Sequence, residues 1–149
     1  MCLPGSRQPA AAAAPAILTV DGDLPGGARD FTLAEFEALG IVPLRTTTPW
    51  SRGPQQFSGV PLATVLQAVG RADATALRAE ALNRYSVGLS AADAFAHGAL
   101  LATRLAGEPM RVRDRGPIWL VYPWSEHPEL DRPELHERSI WQLRRLTLL

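Results

Sequence analysis

Lysine is absent from this 149-residue chain, and all fifteen of its cationic side chains are arginine. That absence removes lysine Schiff-base chemistry, a phosphate-binding P-loop and any lysine general base. Cysteine is nearly absent as well. Cys2 alone excludes an internal disulfide and a cysteine-rich zinc or iron–sulfur site. Net charge is missing too, with 15 arginines set against 15 Asp plus Glu. A general nucleic-acid binder neutralises phosphates with a basic excess, so no nucleic-acid partner is expected. No apolar run reaches the roughly 18 residues that would cross a bilayer, so no direct membrane insertion is expected.

Hydrolytic signatures are lacking. There is no HExxH and no G-x-S-x-G elbow, and His97, His127 and His136 never stand at the i, i+4 spacing of paired zinc ligands. His127 and His136 fall in a Pro- and Glu-rich loop and read as solvated, while His97 ends a helix, where a cation suits the dipole. The pairs Asp21/Asp23 and Glu126/Glu129 are accounted for as turn residues.

What remains is an apolar content of 46% with 20% charged residues, the composition of one folded domain. Residues 1–16 are Pro/Ala-rich without periodicity and read as a disordered leader or the remnant of an export signal, with small residues at A-x-A cleavage spacing. The folded domain is expected over 17–149. Ile17 to Val20 reads as a first strand. Thr32 with Glu35 forms a capping box, and Phe31 with Phe36 the hydrophobic staple, of a short helix stopped by Gly40. A second helix with Pro61 in its first turn carries Leu62, Val65, Leu66 and Val69 on one face, and Gly70 closes it. Leu77, Ala79 and Ala81 alternate as a half-buried strand, and so do Tyr85, Val87 and Leu89. Ser90 with Asp93 opens a third helix. Strands are expected at Ala99–Leu105, Ile118–Tyr122 and Ile140–Leu148, with residues 124–138 as a loop. The fold class is α+β, mixed sheets with about three short helices.

Three clusters combine polar groups with large aromatics. In the first, Thr46, Thr47 and Thr48 precede Trp50, which reads either as hydroxyls beside a stacking plane or as a threonine strand with a core tryptophan. The second is Asn83-Arg84-Tyr85, a turn running into a strand. In the third, Arg111, Arg113 and Arg115 lead through Gly116-Pro117 to Trp119 and Tyr122. Exposed edge charges would explain these arginines, but the forked guanidinium is also the donor suited to oxo groups and anions.

In this order and spacing the clusters, with Phe57-Ser58-Gly59-Val60-Pro61-Leu62 and the Gly116-to-Pro123 segment, resemble the molybdopterin-binding domain of the sulfite oxidase superfamily. The resemblance implies the sulfite oxidase-like fold over nearly the whole folded chain. Family oxidoreductases ligate molybdenum through a cysteine on the cofactor loop; that position falls here at Thr46 or Thr47, and the family arginine of the Gly-Pro strand is replaced by Trp119. A hydroxyl is a poor substitute for a soft thiolate.

Thr-Thr-Thr-Pro-Trp, Ala-Leu-Asn-x-Tyr, Arg-x-Arg-Asp-x-Gly-Pro-x-Trp and Trp141 to Leu143 further resemble the periplasmic pterin-binding regulators of the PruR-like branch. That likeness implies a periplasmic, non-catalytic protein binding a reduced, metal-free pterin. The liganded protein would regulate a membrane protein with diguanylate cyclase (GGDEF) and phosphodiesterase (EAL) domains through its periplasmic domain, altering cyclic-di-GMP output. The pterin site would comprise Thr46, Thr47, Thr48, Trp50, Asn83, Tyr85, Arg113, Arg115, Gly116, Trp119 and Tyr122, with Trp50 or Trp119 as the stacking wall. The alternatives are a molybdopterin-dependent oxidoreductase and an interaction module without a small ligand.

Overall fold

Two five-stranded sheets share one core in the computed structural model, which describes residues 14–149. Most of the expected leader, Cys2 included, lies outside the described residues. The strands are β1 (Ala16–Gly22), β2 (Arg29–Thr32), β3 (Val42–Thr46), β4 (Gln55–Pro61), β5 (Ala76–Ala81), β6 (Ser86–Ser90), β7 (Leu100–Leu105), β8 (Glu108–Pro109), β9 (Trp119–Val121) and β10 (Leu143–Leu148). The first sheet runs β2-β1-β10-β5-β6, with β10 parallel to β1 and antiparallel to β5. The second runs β3-β4-β7-β8, and β9 also pairs with β7. The helices are α1 (Leu33–Glu37), α2 (Leu62–Ala68), α3 (Ala91–Phe95) and α4 (Pro133–Arg138).

Local signals explain the first three helices. Thr32 and Glu35 cap α1 reciprocally at 3.1 and 2.9 Å, and Phe31 meets Phe36 edge to face at 6.2 Å. Leu62, Val65 and Leu66 of α2 are wholly buried, and Gly70 ends that helix at φ +79°. Pro61 is the N-cap of α2, one position ahead of its expected place in the first turn. Ser90 and Asp93 form the capping box of α3. Leu77, Ala79 and Ala81 point into the core from β5, as their alternation requires.

Four expectations need correction. The first strand starts at Ala16, one residue ahead of the expected Ile17. The stretch 124–138 is not all loop: a 3-10 turn spans Pro128–Leu130, and α4 forms with Pro133 in its first turn and His136 and Arg138 in its last. Proline pre-sets the first helical φ and the basic residues suit the negative end, so the proline density that reads as loop is a helix start. The last strand begins at Leu143, since Gln142 stands at φ +55°. Finally, the Ile118–Tyr122 run yields only the three-residue β9, whose one strand neighbour is β7. Its burial comes from Leu120, whose N–H donates to the Ile140 carbonyl at 3.0 Å, and from packing on both faces.

An ion pair ties α1 to the second sheet. Arg104 donates to both Glu37 oxygens, from Nε at 2.9 Å and Nη2 at 3.1 Å, and Thr103 donates at 2.7 Å. The Arg104 bond, opposed by partial burial and helped by Thr103, holds the Glu37 carboxyl below its ordinary value near 4.5. A lowered folded-state pKa means the unfolded chain binds more protons in that window, so this contribution is complete above the ordinary value and is lost as pH falls through the lowered one. Melting temperatures measured from about pH 6 to pH 3 should therefore fall less steeply in Glu37→Gln than in the parent. Identical slopes would remove Glu37 from the acid response.

Candidate functional site

Four segments meet at one end of the first sheet: the loop after β3, the β5–β6 turn, the arginine loop before β9, and α4 with the chain leading into β10. Gln142 is their junction. Its carbonyl accepts from Leu82 N–H at 2.9 Å, its own N–H donates to Arg115 O at 2.9 Å, and its side-chain N–H donates to Val112 O at 2.7 Å. Three residues here hold left-handed backbone, Arg84 (φ +74°), Arg115 (φ +78°) and Gln142 (φ +55°). Such conformations cost energy in residues with a Cβ and persist where surrounding contacts enforce them.

Trp50 is the hub of the aromatic groups. Its ring centroid lies 5.9 Å from Trp119, 6.0 Å from Trp124, 5.7 Å from Trp141 and 5.9 Å from His136, all tilted or edge to face. All four tryptophans of the chain thus share one cluster. A cavity of about 250 Å³ opens on it, walled by Trp50, Asn83, Tyr85, His136, Glu137 and Trp141. Trp141 and Gln142 also border a second, basic hollow of about 740 Å³ that Arg111, Arg113 and Arg115 line. A third, of about 410 Å³, is bordered by Thr47, Thr48, Trp124, Ser125 and Asp131. The His136–Asp131 hydrogen bond, 2.6 Å, links a residue of the first cavity to one of the third.

Arg115 is the most unusual polar group. Its guanidinium carbon sits 4.4 Å from the Trp141 ring centre and 5.0 Å from that of Trp119, and its Nε is buried with no partner among the described residues. Two indole faces hold the cation in place by cation–π attraction. A buried donor without an acceptor is costly, and it is expected where a ligand completes the set.

The structure divides the residues expected to form one site. Trp50, Asn83 and Tyr85 share the aromatic cavity; Arg113 and Arg115 lie in the neighbouring basic hollow. The threonines are not part of either. Thr46 is fully buried, donating to Thr47 O at 2.8 Å and accepting from Ser125 N–H at 3.0 Å. Thr47 N–H donates to Ser125 Oγ at 2.8 Å, and Thr48 Oγ1 donates to Ser51 Oγ and accepts Trp50 N–H, both at 3.1 Å. These hydroxyls shape the loop that presents Trp50, as short polar side chains do in turns.

Trp119 lies beneath the site, 2% exposed, with its indole N–H on Ser139 Oγ at 3.1 Å, so Trp50 is the accessible wall. Tyr122 turns away entirely, donating to Asp93 Oδ1 at 2.9 Å. Burial, then the Asp93 charge, pushes its phenol pKa strongly upward, keeping it a donor. Gly116 serves the backbone: a Cβ there would collide with the Met110 carbonyl. Sequence reasoning missed His136 and Glu137 and left Trp141 and Gln142 as a likeness without a role. Tyr85 is better placed than expected, its hydroxyl donating to Glu137 O at 2.9 Å. Burial and the Glu137 charge raise its pKa.

A sequence profile of the oxidoreductase molybdopterin binding domain matches residues 28–126. The chain belongs to that family. No curated protein matches the sequence. Among solved structures, the sulfane dehydrogenase SoxCD from Paracoccus pantotrophus is similar with a TM-score of 0.65 at 17% identity, over 88% of this chain and 37% of that one. At that identity the likeness concerns the fold, a sulfite oxidase-like molybdopterin-binding domain, and this chain spans well under half the length of its neighbour. The family match contains Trp50, Asn83, Tyr85 and Arg115 but stops short of α4, Trp141 and Gln142, so one wall of the aromatic cavity lies outside it. An oxidoreductase molybdopterin-binding domain implies a pterin-type cofactor. The donors fit the organic part of such a group, an aromatic slot beside an unpaired guanidinium. They do not fit protein ligation of a soft metal, because the loop offers hydroxyls already bonded within it and no thiolate.

Proposed function

We propose that this domain is a non-catalytic pterin-binding sensor. The observation that carries the reading is the buried, unpaired Arg115 Nε held between Trp119 and Trp141, next to an aromatic cavity walled by Trp50 and Tyr85. A bound pterin supplies a flat heterocycle whose reduced and oxidised forms carry different numbers of N–H groups, and hence a redox-dependent signal. Trp50 offers the stacking face. Asn83, whose Oδ1 already accepts Tyr85 N–H at 3.1 Å, offers its amide donors, and Arg115 donates to an oxo or anionic oxygen. The metal-free form of the reading rests on the threonine loop: Thr46 and Thr48 spend their hydroxyls on Thr47, Ser51, Ser125 and Trp50.

The resemblance to periplasmic pterin-binding regulators extends the proposal to location and partner. In it the liganded domain acts from the periplasm on a membrane diguanylate cyclase/phosphodiesterase. A ligand shifts a partner only by binding its two states unequally. Because α4 both walls the cavity and is exposed along Arg132, Pro133 and Glu134, it is the element through which occupancy would be read. Membership in an oxidoreductase family favours a second reading, a molybdopterin-dependent oxidoreductase.

A thermal-shift panel of tetrahydropterins, oxidised pterins and phosphorylated pterins decides whether a pterin binds. A ligand at about 100 times its Kd adds about 2.7 kcal/mol of stability. Arg115→Ala should weaken the best ligand by about tenfold or more, the loss of one buried hydrogen-bond partner. Stoichiometric molybdenum in protein from a molybdenum-replete host would support the oxidoreductase instead, and no response to any pterin would overturn both.

A further inference from the structure

The aromatic cavity carries unused polar groups of both kinds and a single carboxylate among the residues that line it. Tyr85 spends its proton on the Glu137 carbonyl, leaving an acceptor oxygen. Gln142 commits a side-chain N–H to Val112, leaving its carbonyl oxygen. Ser139 is satisfied in both directions, accepting from Trp119 at 3.1 Å and donating to Leu120 O at 2.5 Å. His136 turns Nε2 to Asp131 at 2.6 Å. The carboxylate of Glu137 has no hydrogen-bond or ion-pair partner among the described residues, although its neighbour Arg138 is paired with Asp93. The unused donors beside them are the amide protons of Asn83, the second side-chain N–H of Gln142 and the indole N–H groups of Trp50 and Trp141, which have no acceptor among the described residues. Glu137 is the one carboxylate in this lining, and a carboxylate favours a ligand edge that presents adjacent N–H groups to it.

Resting on the pterin reading, we propose that Glu137 determines specificity, accepting the paired donors of a 2-amino heterocycle and rejecting its 2-oxo counterpart. In a pterin the 2-amino group and N3–H stand side by side, and a carboxylate accepts both. In a lumazine N3–H remains, but position 2 is a carbonyl whose lone pairs face the second carboxylate oxygen, so one of the two hydrogen bonds is replaced by a repulsive contact. Glutamine at this position keeps the shape but supplies an N–H that suits the 2-oxo group.

The test uses the whole protein with two probes, pterin and lumazine, each oxidised and as its tetrahydro form under anaerobic conditions, with affinity read by calorimetry. The parent should prefer pterin over lumazine by about tenfold or more. Glu137→Gln should lower that ratio by about tenfold while its melting temperature stays that of the parent, because the side chain is exposed. An unchanged ratio in Glu137→Gln overturns the assignment. Equal affinity of the parent for both probes overturns the assignment but leaves the pterin reading standing. Binding of neither probe overturns both.

Discussion

Trp50→Ala should lower pterin affinity by about 100-fold, the largest loss expected from any single side chain of the site. Alanine replacement of an aromatic that stacks on a heterocycle costs roughly 1–3 kcal/mol, and about 2.7 kcal/mol is two decades in Kd. Trp50 stands at the upper part of that range because it is also the group against which Trp119, Trp124, Trp141 and His136 pack. Aromatic pairs contribute about 0.5–1.5 kcal/mol each beyond their area. The substitution should therefore also lower stability by about 2–3 kcal/mol. It frees Trp141 to move, and with it one of the two faces that hold Arg115. Trp50→Phe separates the effects: it keeps a stacking face and should recover most of the affinity but only part of the stability. Calorimetry with the best pterin of the panel and urea unfolding measure the two quantities. Unchanged affinity in Trp50→Ala would place the heterocycle somewhere other than this cavity.

Trp50 is legible as a site residue from the sequence itself. Trp50, Asn83 and Tyr85 stand out locally, an aromatic after a threonine run and an Asx turn before a strand, and local signals survive without knowledge of topology. The helix caps at Thr32 and Ser90 are legible for the same reason. The rest of the wall depends on which loops meet. Trp141 and Gln142 reach Leu82 and Arg115 because β10 inserts between β1 and β5, a pairing between the two ends of the chain that no periodicity encodes. The register shift between Leu143 and Arg145 further hides the alternation of that strand. Composition misled in one place: His136 and Glu137 sit in a stretch whose prolines and glutamates read as solvated loop, although Pro133 starts the helix that carries them. Chemistry misled in another. Threonine hydroxyls look equally ready to bind a ligand or to bond their own loop, and here local geometry consumes them. Tyr122 shows the limit of reading a strand by alternation: in a run buried on both faces the pattern cannot say which way a side chain points.

Arg138→Met should destabilise the fold by about 3 kcal/mol, the low end of the cost of stranding a buried charge. Asp93 is wholly inaccessible, and Arg138, a third exposed, approaches both of its oxygens at 3.3 Å. Tyr122 donates to the same carboxylate at 2.9 Å and Ser90 N–H at 2.7 Å. These two bonds persist in the variant and keep the loss from reaching the full range for an uncompensated charge. The double variant Asp93→Asn with Arg138→Met removes the charge together with its partner. It should recover about 1 kcal/mol at most: the stranded charge is gone, but the single amide oxygen can accept from only one of the two donors that Asp93 serves on separate oxygens, Tyr122 on Oδ1 and Ser90 N–H on Oδ2. Urea unfolding of the parent, both single variants and the double variant gives the coupling directly. A cost below about 0.5 kcal/mol for Arg138→Met would mean that the carboxylate is satisfied without the guanidinium. The pair also has a functional reach. Arg138 ends α4, so Asp93 anchors the helix that carries His136 and Glu137 to α3 and the buried Tyr122. With the anchor cut, α4 keeps Tyr85, the His136–Asp131 bond and, at its C-cap, Ser139 on Trp119 and Leu120 as polar ties among the described residues, and pterin affinity should fall in Arg138→Met although Arg138 does not line the cavity. Retained affinity in a destabilised variant would show that the wall is held by the tryptophan cluster alone.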